Sequence, residues 1–183
     1  MRCSREESRA STDAPWSSTF QARPAAAGTD TQCCSRRSGT REDTSGDLLA
    51  ELLAGDGYEV ERRIVPDEAG EIASAISDLA ETAAVVLTTG GTGVAPRDVT
   101  PEATRSVIDR EAPGIAEAIR ADSLAKTPHA LLSRGVAGIH ARTLVVNLPG
   151  SPGGCRDGYA VLQPALGHAL GLLAEAETAH RQT

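Results

Sequence analysis

The 183-residue sequence predicts an α/β domain of three layers, αβα, around a mostly parallel sheet. Three observations carry that expectation. From Leu48 onward, apolar runs of strand length alternate with stretches of helical period. One such run, Val85-Val86-Leu87, passes straight into Thr88-Thr89-Gly90-Gly91-Thr92-Gly93 and then reaches Asp98. Pro66-Asp67-Glu68 and Asn147 to Gly154 repeat the strand-to-loop junction elsewhere in the chain. In an open α/β sheet such junctions gather at the carboxyl ends of the strands, where ligands bind.

The elements follow in order. Asp43-Thr44-Ser45-Gly46-Asp47 is a helix start, with short polar side chains to cap free N–H groups. Leu48, Leu49, Leu52 and Leu53 form one apolar stripe, and Gly55-Asp56-Gly57 ends the helix. Tyr58 to Val65 is a strand that stops at Pro66, and Glu71 to Thr82 an amphipathic helix with Ile72, Ile76 and Leu79 inward. Ala83 to Leu87 is an unbroken apolar strand, as expected of one covered on both faces. Thr100 caps the next helix and Pro101 fills its first turn; that helix runs to about Glu111. Pro113-Gly114 opens another, to about Ala125, and Pro128 to Ser133 adds one turn. Val136 to Ile139 and Thr143 to Leu148 are strands, and two helices follow, Cys155 to about Leu162 and Pro164 to about Ala179.

Composition narrows the function classes. Net charge is −7, which argues against a nucleic-acid surface, and all 18 basic residues but Lys126 are arginine. The four cysteines, at 3, 33, 34 and 155, make neither a disulfide framework nor a zinc site, so a reduced cytoplasm is the expected setting. His129, His140, His168 and His180 show no metal-ligand spacing, and Cys155 reads as an inert small apolar group. No apolar run approaches membrane-span length, and no partner membrane is expected.

Residues 1–47 contain no Val, Ile or Leu. Residues 1–41 hold seven Arg against four acids, opposite in sign to the rest. Such a segment buries too little apolar surface to offset its ordering entropy, and residues 1–38 are expected to stand outside the fold.

A rim of Gly, Ser and Thr donors suits a phosphorylated ligand. Two nearby carboxylates suit a divalent cation bridging phosphates. On the residues alone, Asp67 serves equally as a cap for the helix near Glu71, and Asp98 as a cap for the turn before Thr100-Pro101. Asn147 and Ser151 read equally as loop formers.

The string TTGGTG followed by PRDVTPEA closely resembles the molybdopterin-binding fold of molybdenum-cofactor biosynthesis proteins, in particular the single-domain molybdopterin adenylyltransferases of the MogA/MoaB type. The resemblance covers roughly residues 39–175 and implies a molybdopterin-binding domain over 39–178. It implies transfer of the adenylyl group of Mg-ATP to the terminal phosphate of molybdopterin, releasing pyrophosphate. The family's two catalytic acids match Asp67, in PDE, and Asp98, in PRDVTPEA; both become expected Mg²⁺ holders. Asp43, Ser45, Gly46, Thr89, Gly90, Gly91, Thr92, Gly93, Asn147, Pro149, Gly150 and Ser151 become expected substrate-binding residues. A homotrimer or homohexamer and a downstream molybdenum insertase are the implied partners. The alternative is a molybdopterin carrier without catalysis.

Members of that family open with a short buried strand ending in Ser-Asp ahead of a GxxxDxSG-like turn. The turn is here, from Gly39 to Gly46, but Thr29 to Ser38 reads TDTQCCSRRS, with no strand character. The fold is therefore expected to lack its first strand, and the segment before Gly39 to be disordered or translated in the wrong frame.

Overall fold

The computed structural model describes residues 16–24 and 43–180. They form a six-stranded sheet with helices on both faces. The strands are β1 (Trp16–Pro24), β2 (Tyr58–Pro66), β3 (Val85–Thr89), β4 (Arg110–Glu111), β5 (Ala137–His140) and β6 (Thr143–Leu148), in spatial order β2-β1-β3-β6-β5-β4. The helices are α1 (Thr44–Gly55), α2 (Ala69–Ala80), α3 (Thr100–Val107), α4 (Pro113–Lys126) and α5 (Pro152–His180), with a 3₁₀ turn at Pro128–Leu132.

The three-layer reading holds, because side chains alternate across the sheet. Val85 and Leu87 pack with Leu144, Val146 and Leu148 against Leu49, Leu53, Ile119, Leu162 and Leu166 of α1, α4 and α5. Val86 and Val145 point the other way, onto Ile72, Ile76, Leu79 and Ala103 of α2 and α3. Both faces are covered, which is why β3 and β6 are apolar without interruption.

The sheet is mixed rather than mostly parallel. Strands β2, β3, β4 and β6 run one way, but among the described residues only β3 and β6 are hydrogen-bonded in parallel. Strand β5 returns from β4 and leads into β6 through a tight turn at Ala141, whose φ of 52° is left-handed.

The other departure is β1. The sequence left no strand ahead of Gly39, yet Trp16–Pro24 lies between β2 and β3, antiparallel to both. Neighbouring strands with unpaired N–H and C=O groups impose a cost that any strand-forming segment relieves. Trp, Thr and Phe suffice for strand propensity without Val, Ile or Leu. The fit is incomplete: the buried Thr19 hydroxyl has no hydrogen-bond partner among the described residues. The expectations for residues 1–15 and 25–42 lie outside the described residues.

Smaller differences have local causes. Helix α3 begins after Val99, not after a capping Thr100, whose N–H instead donates to Gly91 O at 3.2 Å. The two expected C-terminal helices are one, with Pro164 inside α5. Proline removes one helical hydrogen bond there, but Leu162 and Leu166 on either side are both buried in the core. Among the described residues no helix is long and apolar enough to cross a membrane.

Candidate active site at the carboxyl edge of the sheet

Strand register puts the three junctions on one edge. Ser18 of β1 stands opposite both Ile64 of β2 and Thr89 of β3, so those two positions are level. Thr89 is in turn level with Leu148 of β6. Pro66-Asp67, Thr89-Gly90 and Leu148-Pro149 therefore leave the sheet on the same side. With β1 between them, β2 and β3 run roughly 10 Å apart at the usual strand spacing.

The loop after β3 turns at once. Gly90 and Gly91 have φ of 91° and 62°, a region open to glycine at little cost. A Cβ on Gly150 would lie 2.8 Å from Gly90 Cα, so the loops after β3 and β6 meet backbone to backbone. A Cβ on Gly93 would lie 2.7 Å from Asp98 Oδ2, so the glycine makes room for the folded-back carboxylate. Asp98 Oδ2 accepts the Ala95 N–H at 2.8 Å, and the Asp98 N–H donates to Ala95 O at 2.9 Å. Asp98 thus closes the turn ahead of α3, as one reading of its type allowed.

Asp67 does not cap α2. The residue in that position is Glu68, and it makes no side-chain cap hydrogen bond. The helix begins through Ile72 N–H to Glu68 O at 3.0 Å. Capping of α2 is therefore not the role of Asp67, which has other interactions.

The start of α1 also faces this edge. Asp43 is its N-cap: Oδ1 accepts the Gly46 N–H at 2.9 Å and the Ser45 hydroxyl at 3.1 Å. Arg62 of β2 pairs with both Asp43 and Asp47, which fixes α1 against the sheet. A Cβ on Gly46 would lie 2.1 Å from Asp43 Oδ2, so a larger residue there would push the Asp43 carboxylate aside. Cys155 Sγ lies 3.8 Å from Ser45 O, setting the starts of α1 and α5 side by side. Burial, reinforced by the Asp43 charge, pushes the Cys155 thiol up to about 12, so it stays protonated and inert. Ser151 starts α5, its hydroxyl accepting the Gly154 N–H at 3.2 Å and its carbonyl the Cys155 N–H at 2.8 Å.

Asn147 sits differently from its neighbours. Its side chain is buried, donating to Thr88 Oγ1 at 2.9 Å and Thr104 Oγ1 at 2.8 Å and accepting the Val136 N–H at 3.1 Å. It ties β3, α3, β5 and β6 together beneath the rim and presents no group to it. Thr89 and Thr92 are also buried, which leaves the loop's backbone and glycines as its exposed chemistry.

One residue that sequence reasoning passed over is Arg134. Its Nε donates to Gly93 O at 2.6 Å, and its two terminal nitrogens donate to Asp98 O and to the Glu102 carboxylate. Its own N–H donates to Thr92 O at 2.9 Å. Burial alone would raise the Glu102 carboxyl, but the Arg134 bond and charge outweigh it and hold it below the ordinary glutamate range. A cavity of about 370 Å³ opens beside this assembly, bounded by Val94, Pro96, Asp98, Glu102 and Arg134. Asp98 lines it and Asp67 does not. No spacing in the sequence marks Arg134; only its partners 32 to 41 residues away reveal it.

Residues 26–168 match the family described as the probable molybdopterin binding domain. The chain belongs to that family. The match opens inside the segment read from sequence as lying outside the fold. Among relatives of this molybdopterin-binding domain, the molybdopterin adenylyltransferase of Escherichia coli K12 is 40% identical over 138 residues, covering 73% of this chain and 71% of its own length. The molybdenum cofactor synthesis protein cinnamon of Drosophila melanogaster is also 40% identical, over 147 residues and 78% of this chain, but the chain spans only 24% of its length. Of solved structures, the molybdopterin biosynthesis Mog protein from Mycobacterium ulcerans superposes with a TM-score of 0.70 at 44% identity, covering 73% of this chain and 88% of that one.

Proposed function

We propose that this chain adenylylates molybdopterin: the adenylyl group of ATP passes to the terminal phosphate of the pterin and pyrophosphate leaves. The observation that carries this reading is the backbone contact of Gly90 with Gly150 on the edge that also bears Asp67. It leaves a close-approach surface of glycine backbone flanked by carboxylates, as a polyphosphate and its counter-ion require. The relatives named as adenylyltransferases support the reading at about 40% identity.

In the reaction, an oxygen of the pterin phosphate attacks the α-phosphorus of ATP in line. A new P–O bond forms as the bond from the α-phosphorus to the bridging oxygen breaks. The attacking phosphate is already an anion, so no strong base is needed. The rim contributes by positioning the two anions and by donating N–H groups to developing charge. Carboxylates beside a surface of glycine backbone are the chemistry Mg²⁺ takes when it bridges phosphates. No group of three or more His, Cys, Asp or Glu that could hold a metal occurs among the described residues. Mg²⁺ instead takes one or two carboxylates with substrate oxygens and water, and Asp67 and Asp98 are the residues that would hold it. When bound, it neutralises charge on the phosphate oxygens.

The protein's setting follows the same reading: cytoplasmic, and supplying a molybdenum insertase downstream. Leu124, Leu131 and Leu132, exposed by 45%, 72% and 52%, supply an apolar face for assembly into a trimer or hexamer. The second reading, a carrier that holds the pterin without turnover, is favoured by the lack of a Ser-Asp-ending apolar strand directly before Gly39 in the sequence. It equally supports a frame change ahead of Gly39. An alternative frame encoding an apolar strand ending in Ser-Asp is the expected finding in the gene, and its absence removes that idea. Incubation with molybdopterin, Mg²⁺ and ATP separates enzyme from carrier: pyrophosphate and adenylylated pterin are expected, and binding without either product establishes the carrier.

A further inference from the structure

We propose that Arg134 is a positioning residue that sets where Asp98 stands relative to the Gly-rich loop, an inference that rests on the adenylyl-transfer reading. The loop from Thr92 to Val99 has no regular secondary structure. Its internal bonds, between Ala95 and Asp98, close a turn on itself and do not fix that turn to the sheet. Thr100 N–H to Gly91 O anchors only the two ends. Among the described residues, Arg134 alone reaches both Gly93 O, on the strand side, and Asp98 O, on the helix side, and it pairs with Glu102 in the first turn of α3.

The guanidinium suits this task because it is planar and its donors are fixed in one fork. Three carbonyl or carboxylate partners bound to one rigid plane cannot move independently. Arg134 is itself held from behind, because its N–H donates to Thr92 O and the residues after it lead into β5. The result is a strut between β5 and the turn that carries the Asp98 carboxylate. Arg134 also lines a second cavity, of about 360 Å³, with Arg105, Arg120 and Ser133, so it forms part of the wall between two hollows. Its bonds act on Asp98 and the loop, whose cavity wall it shares.

The test compares wild type with Arg134→Lys, Arg134→Gln and Glu102→Gln in the pyrophosphate assay, and follows backbone amide exchange in each. Arg134→Gln is expected to lower kcat about a hundredfold while KM for molybdopterin stays within about threefold, the signature of a misplaced group rather than lost binding. Half-saturation by Mg²⁺ should shift to higher concentration. Arg134→Lys keeps the charge but not the fork and should recover little. Glu102→Gln leaves both carbonyl bonds but loses the charged partner, and its kcat should fall between those of wild type and Arg134→Gln. Amides from Thr92 to Val99 should exchange faster in both Arg134 variants, with those of Val85 to Leu87 unchanged. Wild-type kcat in Arg134→Gln, full recovery in Arg134→Lys, or faster exchange throughout the core would each overturn the proposal. If wild type itself gives no pyrophosphate, the adenylyl-transfer reading falls, and loop exchange alone decides the role of Arg134.

Discussion

The loops after β3 and β2 leave the same edge of the sheet, yet they are held in opposite ways. Every residue of β3 is buried, and its loop is fixed by the contact with Gly150 and by Arg134. Strand β2 is the outer strand on its side, partly exposed along its length, with Ile64 nearly half exposed. Its inner neighbour is the reversed β1. Asp98 therefore sits in a loop bonded to the rest of the fold, whereas Asp67 follows the partly exposed outer strand. The contrast teaches that two loops leaving one sheet edge can be anchored in different ways.

The contrast breaks most sharply at Gly150. Gly150→Val forces a side chain into Gly90 Cα and should separate the two loops, costing about 1–3 kcal/mol of stability as an overpacked contact does. Activity should fall further than stability; thermal melting together with the pyrophosphate assay reads both. Asn147→Ala is next. It strands Thr88, Thr104 and the Val136 N–H beneath the rim, and should cost roughly 3 kcal/mol in denaturant unfolding. If Asn147 instead served the ligand, pterin affinity would fall while stability held.

These effects also mark what the sequence could convey. From Leu48 onward the alternation of strand and helix is local, so periodicity displayed it, and the Gly-rich string announced its own turn. Direction was not legible: β1 and β5 run against their neighbours, and no local pattern encodes that. Trp16–Pro24 escaped notice because its strand formers, Trp, Thr and Phe, make no apolar run, and the place between β2 and β3 completes the strand. Pro164 misled for the same reason in reverse, since core packing on both sides carried α5 through it. At the site, Asp98 and the glycines were legible as a string. Arg134 and the inward turn of Asn147 were not, because their partners lie on other elements.

The smallest effect concerns pH. The Glu102 carboxyl sits below its ordinary range in the folded state, so its pairing with Arg134 contributes stability above the unfolded-state value and loses it as pH falls through the folded one. The pair is largely exposed, so the contribution is small. Melting curves of wild type and Glu102→Gln should differ slightly near neutrality and converge as pH falls through and below the ordinary glutamate range. A gap that widens on acidification would assign the opposite sign.

Pyrophosphate release from molybdopterin, Mg²⁺ and ATP, measured for wild type, Asp98→Asn and Asp67→Asn with pterin binding followed in parallel, tests the shared rim most directly. Both variants should bind the pterin and lose turnover, as partners at one reacting centre. Unchanged turnover in either would remove that aspartate from the chemistry and contradict the account.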